Sequence, residues 1–314
     1  MHHYGQIDMK TFHAINKGQN LPEGVAALYQ VKYPSEQEIN DHEVDTYTKK
    51  SLWIDKKIIT IIGTVASGKW TVADLLTKNF NTKKHDIALH IDTGSVFRTL
   101  AYHFDAKGYC STDKDFYKWK NKVHTKKIQE VLSNMKLEHD SLSTPQGTKK
   151  IIMVDGREIQ DKLYDSRVSQ VAAWFGANPM MREFVVQKNI DVITWGIHDI
   201  IVMDGREYGT FVFPDADFKL YLDAPVIERM RRNMQRKNTA SQTPITNINQ
   251  YKPTHEDIQE FVTRDRRDIE RNLTPIRLPK DAIIIHTSRT SAKYNADMLY
   301  RMYLNKVSSQ QRQP

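Results

Sequence analysis

Apolar positions along the chain fall into two alternating rhythms. Ile58-Ile59-Thr60-Ile61-Ile62 is an unbroken, mostly β-branched run, the pattern of a strand buried on both faces of a parallel sheet. After Gly63 the spacing changes. Val72, Leu75, Leu76 and Phe80 recur at helical intervals and predict a helix over 70–80. The alternation continues, with strands predicted at 87–91, 135–139, 150–154, 200–203, 218–222 and 283–286. Helices are predicted at 95–106, 113–135, 166–175, 179–195, 225–237, 254–272 and 291–304. Pro179 opens its helix, where its missing N–H costs nothing. Strands alternating with helices predict a three-layer α/β fold with a central parallel sheet covered on both faces.

Three segments stand outside this rhythm. Residues 1–55 are polar, carry Pro22, Pro34 and a mixed-charge stretch over 36–50, and read as an N-terminal extension of unknown role and unknown partner, with a short helix at 22–30. Residues 238–253 are rich in Thr, Asn, Gln and Pro and read as a mobile loop. The end, 306–314, reads as a flexible tail.

Composition narrows the classes. The 314 residues are 39% hydrophobic, enough for one sizeable core with appendages. No apolar run approaches the ~20 residues that span a bilayer, and Met1-His2-His3-Tyr4-Gly5 does not read as a secretory signal. Cys110 is the single cysteine, so no intrachain disulfide and no cysteine zinc cluster can form, and a reducing cytoplasm is expected. The net charge of +8 attracts anions without saying which. Base-stacking aromatics interleaved with Lys and Arg on one surface are not evident, so nucleic acid is not the expected partner.

Gly63-Thr64-Val65-Ala66-Ser67-Gly68-Lys69-Trp70-Thr71 fits G-x-x-x-x-G-K between a buried strand and a helix, the context a phosphate-binding loop requires. The glycines let the backbone curl so that amide groups point at phosphate oxygens. The helix N-terminus adds its positive end, and Lys69 a mobile charge for the β- and γ-phosphates. Trp70 stands where the strict motif carries Ser or Thr, and Thr71 lies one place further on. Thr71 and Asp204 are the candidate Mg²⁺ contacts, directly or through water. Ala66, inside the loop, is expected to have φ below zero, where a side chain is tolerated.

Phosphoryl transfer onto an anionic phosphate needs no general base; it needs charge neutralisation and in-line alignment. Arginines stand where that demand arises. Arg98 follows Ile91-Asp92-Thr93-Gly94, and Arg206 follows the strand ending near Met203, both at the carboxyl ends of strands, where ligands bind in such folds. Arg229, Arg231 and Arg232 cluster before the polar loop. Arg264, Asp268 and Arg271 share one helix face. Taken singly, each also fits a surface ion pair or a turn cap; their placement around a phosphate loop favours a site.

At these residues the chain resembles bacterial-type cytidylate kinases, over about 57–305. The matching segments run in the family's order: the phosphate loop; Asp92-Thr93-Gly94-Ser95-Val96-Phe97-Arg98; Val168-Ser169-Gln170-Val171-Ala172-Ala173; Pro179-Met180-Met181-Arg182; Asp204-Gly205-Arg206-Glu207-Tyr208-Gly209-Thr210; Phe213-Pro214-Asp215-Ala216; Leu222-Asp223-Ala224; and Arg264-Asp265-Arg266-Arg267-Asp268. Glu207 replaces the family's Asp.

The resemblance implies a P-loop NTPase fold with a core at 56–106 and 197–305, an inserted monophosphate-binding domain at about 107–196 and a lid at about 231–253. It implies ATP with Mg²⁺, and transfer of the γ-phosphoryl group to CMP or dCMP. Lys69, Arg98, Arg206 and Arg232 would be catalytic, with Arg229 beside Arg232 at a lid over ATP. Ser169, Arg182 and Arg271 would read the cytosine, Arg264 and Asp268 hold the ribose, and Arg98 and Arg206 grip the acceptor phosphate, with Thr93 and Glu207 nearby. Arginine donors suit cytosine, whose O2 and N3 both accept; uracil presents an N–H at position 3 and would leave a donor unmatched.

Overall fold

The computed structural model describes residues 56–83, 87–109, 125–144, 147–159, 162–163, 165–176, 178–239, 255–270 and 274–310. The extension with its 22–30 helix, most of the 238–253 loop, Cys110 and Arg271 lie outside the described residues. The chain divides into two compact units, one made of the segments up to Ile91 and from Ile193 onward, the other of Asp92–Val192.

The first unit is built on a five-stranded sheet: β1 (Lys57–Gly63), β2 (Ala88–Asp92), β6 (Ile200–Gly205), β7 (Phe218–Asp223) and β8 (Ile283–His286), in the order β2-β6-β1-β7-β8. The pairs β1–β6, β1–β7 and β7–β8 are parallel, as the unbroken apolar runs predict. Ile59, Ile61, Val202, Leu220 and Leu222 pack with Val72, Leu76 and Phe80 of α1 (Lys69–Lys83) and Leu299 and Tyr303 of α8 (Ala292–Gln310). On the other face Ile62 and Tyr221 meet Ile269 of α7 (His255–Glu270). Register sets the site. Ile62 pairs with Gly205 and Gly63 with Leu222, so the chain leaves β1, β6 and β7 at one level.

The second unit pairs helices with an antiparallel sheet of β3 (Leu137–Thr144), β4 (Gly147–Val154) and the short β5 (Arg157–Glu158). The helices are α2 (Thr93–Ala106), α3 (Thr125–Asn134), α4 (Ser166–Phe175) and most of α5 (Pro179–Trp195). The unit begins at Asp92 rather than 107. The reason is packing: Val96, Leu100 and Phe104 of α2 share a core with Ile152, Val171, Phe175 and Val185.

Other boundaries move for similar reasons. The expected tail is helical to Gln310, because Val307 packs on the first unit's core and Lys306 Nζ donates to the carbonyl of Asp217 at 2.7 Å. The helix after β7, α6 (Val226–Thr239), runs two residues into the expected loop. A π-helical turn at Tyr208–Val212, unpredicted, is entirely buried beside β1, where a Cβ on Gly209 would lie 2.6 Å from Thr60 Oγ1. Among the described residues no helix is long and apolar enough to cross a membrane.

Candidate active site

The loop from β1 to α1 is shaped by backbone conformations few residues adopt. Gly63 has φ 153°, and a Cβ there would stand 2.2 Å from the Leu222 carbonyl oxygen. Gly68 has φ 94°. Ala66 has φ 59°, contrary to the expectation of a negative value, so this alanine sits in the left-handed region at a cost of about 1–2 kcal/mol. The surrounding structure holds that strain, and it does so through buried charge.

Asp265 of α7 accepts from the Val65 amide at 3.1 Å, and Arg229 of α6 donates to the Val65 carbonyl at 3.1 Å. Arg229 and Asp265 are ion-paired with each other. Arg229 also donates from Nε to the Ala224 carbonyl at 2.9 Å and lies over the Phe261 ring at 5.3 Å. With 2% exposure, Arg229 supports the loop from within. Arg232 is only half-buried. It donates to Thr287 Oγ1 and to the Thr287 carbonyl, each at 2.9 Å, and to Glu228 Oε1 at 3.2 Å. Thr287 Oγ1 in turn donates to the Ser67 carbonyl at 2.8 Å, so Arg232 is tied to the loop at one remove.

Lys69 begins α1 and is 8% exposed. Its Nζ donates to the Thr64 carbonyl at 2.7 Å. Burial lowers its pKa to about 7 and the charge of Arg206 adds to the effect, while Asp204, Asp268 and Asp265 oppose it. The side-chain hydroxyls of Thr64 and Ser67 are buried with no hydrogen-bond partner among the described residues. A curled loop with an ammonium and two unspent hydroxyls has the donor chemistry for phosphate oxygens.

Arg206 emerges from β6 and is ion-paired with Asp268 of α7. Burial opposes its charge, but the Coulombic attraction of Asp268 and its hydrogen bond prevail, so the Arg206 pKa is raised above its ordinary value. Glu207 is buried at the start of the π-helical turn. Arg264, one turn before Asp268, is exposed. Asp204 is buried and receives His90 Nε2 at 3.3 Å, and the Trp70 ring lies 6.1 Å from the His90 ring. Thr71 is exposed. Among the described residues no cluster of three or more His, Cys, Asp or Glu could hold a metal unaided. Magnesium bound with a nucleotide asks for less: one or two carboxylates, with phosphates and waters completing its shell. The buried Asp204 carboxylate fits that demand.

In the second unit Asp92 caps α2, accepting from the Ser95 amide at 3.1 Å, and takes a hydrogen bond from Arg98 Nη2 at 3.1 Å. Thr93 is buried in the first turn. Arg182 of α5 is buried, donates from Nε to the Gly176 carbonyl, and lies over the Phe97 ring at 5.5 Å. Ser169 is half-buried on α4.

The model of the family described as cytidylate kinase matches residues 59–303. The chain belongs to the cytidylate kinase family. The cytidylate kinase of Bacillus velezensis is 30% identical over 240 residues, covering 76% of this chain and 92% of its own. That of Thermotoga maritima is 24% identical over 252 residues, covering 80% and 98%. Among solved structures, the crystal structure of TT1252 from Thermus thermophilus aligns over 80% of this chain and 97% of its own, with 14% identity and a TM-score of 0.39. As a member of the cytidylate kinase family the chain is a phosphotransferase, a nucleoside monophosphate kinase with a P-loop α/β fold.

Four residues of this kinase make contacts that the sequence reading did not assign. Asp265 lies on the apolar face of α7 with Ile258, Phe261, Val262 and Ile269, and a carboxylate on such a stripe is the signal that would have found it. Arg229 carries the same signal between Val226 and Met230. Thr287 and His90 left no pattern, because their partners come from distant segments.

Proposed function

We propose that this kinase transfers the γ-phosphoryl group of ATP to CMP or dCMP, giving ADP with CDP or dCDP. The observation that carries the reading is the first unit's charge arrangement. Lys69, buried and with its pKa lowered to about 7, is poised to take a proton from solvent as a polyanion arrives, and it shares its surroundings with Arg206 and with the carboxylates Asp204 and Asp268. Such a site neutralises phosphate and aligns it, which is what phosphoryl transfer requires.

Roles follow from chemistry and from the matched motifs. The loop amides, Thr64, Ser67 and Lys69 hold the ATP phosphates. Arg232, within reach of Gly68, adds charge as the lid, at about 231–253, closes and excludes water. Asp204, and Thr71 through water, would hold magnesium, which would supply charge neutralisation to the ATP phosphates. Arg206, with Glu207, is assigned to the acceptor phosphate in the first unit, and Arg98, with Thr93, in the second. Asp268 and Arg264 take the ribose, and Ser169, Arg182 and Arg271 the cytosine. The single cysteine and the substrates suit the cytoplasm.

The test is ADP release with ATP and Mg²⁺ against CMP, dCMP, UMP, AMP and GMP, with Lys69→Ala as control. Turnover with CMP or dCMP that vanishes in the control supports the reading. Nucleotide binding without turnover on any acceptor would turn it toward an interaction module, and preference for another monophosphate would overturn the acceptor assignment.

A further inference from the structure

Trp70 departs from the strict phosphate-loop motif at the position next to the catalytic lysine, and the structure gives it a purpose. The residue is 46% exposed. Its ring lies at 6.1 Å and 54° from the imidazole of His90, within the range where aromatic rings attract. His90 stands on β2, with its side chain almost wholly buried, and its Nε2 is 3.3 Å from Asp204 Oδ1, itself buried at the end of β6. A carboxylate oxygen accepts, so Nε2 is the nitrogen that carries the proton. The other nitrogen, Nδ1, is buried without a hydrogen-bond partner. One indole, one imidazole and one carboxylate thus run from solvent to the buried edge of the site.

We infer that His90 is a positioning residue for the Asp204 carboxylate and that Trp70 is the cap that keeps water from this bond. A buried carboxylate close to Lys69 has competing orientations: toward the ammonium, or toward a cation held with the nucleotide. The hydrogen bond from β2 selects one. An imidazole N–H is effective there only while no water competes for Oδ1, and the indole covers the imidazole on its solvent side. A residue with a small side chain at position 70 would open that side. Trp70 and His90 therefore act as a pair, and the bulky residue beside Lys69 serves the metal contact instead of crowding it.

This inference rests on the ATP half of the proposed function and not on the acceptor, so a failure to phosphorylate CMP leaves it standing. The test is calorimetric titration of the full chain with ATP, with and without Mg²⁺. His90→Leu should lose at least about tenfold of the affinity gained from Mg²⁺, the usual cost of removing a group that orients a metal ligand, while metal-free ATP affinity changes less than about twofold. His90→Gln, which places an N–H near the position of Nε2, should restore most of the gain. Trp70→Phe should behave as the wild type, and Trp70→Gly, at an exposed position that leaves the core intact, should lose the gain as His90→Leu does. A wild-type magnesium gain in His90→Leu would overturn the role of His90. Equal loss with and without Mg²⁺ would reduce the pair to packing. A Trp70→Gly variant that binds as well as the wild type, or better, would overturn the cap.

Discussion

The amide of Val65 donates to Asp265 at 3.1 Å while its carbonyl accepts from Arg229 at 3.1 Å, so one residue of the phosphate loop is gripped on both sides by an ion pair drawn from two distant helices. Both charges are buried, and removing one strands the other. Asp265→Ala should therefore cost about 3–5 kcal/mol, read by urea unfolding. The double replacement Arg229→Met with Asp265→Leu should recover most of that stability, because apolar packing substitutes well for a buried pair. It should not recover ATP affinity, since Val65 loses both anchors. If the double variant binds ATP as the wild type does, the clamp serves the fold and not the loop.

Lys69 makes a second prediction, about protons. Its pKa is lowered to about 7 by burial and by Arg206, whereas ATP favours the charged ammonium. Binding of ATP at pH 8 should draw nearly one proton from solution, measured by calorimetry in buffers of different ionisation enthalpy, and Lys69→Met should abolish the uptake. The stability effect has a fixed sign. Between pH 7 and 10.5 the unfolded chain keeps a proton that the native state has released, so Lys69 makes the fold more stable as pH rises through that window. In Lys69→Met that slope disappears.

The same lysine carries a prediction about rate. Lys69→Ala should cut turnover on the order of a hundredfold or more, the scale seen when one donor to developing charge is removed. The folded spectrum should persist, because the Nζ bond to Thr64 lies within the loop itself. A loss of only a few-fold in ADP release would remove Lys69 from the transfer step.

Much of this was legible in the chain because it is local. The runs at 58–62, 200–203 and 218–222 are β-strands that form a parallel sheet, since a strand covered on both faces must be apolar throughout. The phosphate loop was legible because its glycines, lysine and flanking elements are contiguous. What was hidden depends on long-range contact. The hairpin of β3 and β4 carries too mixed a pattern over 137–150 to show its length, and its partner is the next strand rather than the central sheet. The helix Thr93–Ala106 looked like part of the core, because nothing in its own sequence says which core receives Leu100 and Phe104. The ion pair of Arg229 with Asp265 was hidden for the same reason, since the two stand on different helices.

Arg182 carries the last prediction, on specificity. Contacts within its own unit orient its guanidinium: Nε donates to the Gly176 carbonyl, and the plane lies over Phe97 at 5.5 Å. A guanidinium held at Nε and by its face is kept in one orientation, the condition for reading a base rather than merely attracting its phosphate. Arg182→Met should raise KM for CMP more than about tenfold and leave KM for ATP within about twofold. Arg182→Lys should not restore it, because lysine supplies the charge without the planar fork. Phe97→Leu should shift KM for CMP in the same direction by a smaller factor, the share of a cation–π contact worth about 0.5–2 kcal/mol. Steady-state kinetics with both substrates varied separates these effects. Equal losses for CMP and ATP, or full rescue by lysine, would show that Arg182 holds its unit together instead of reading the base.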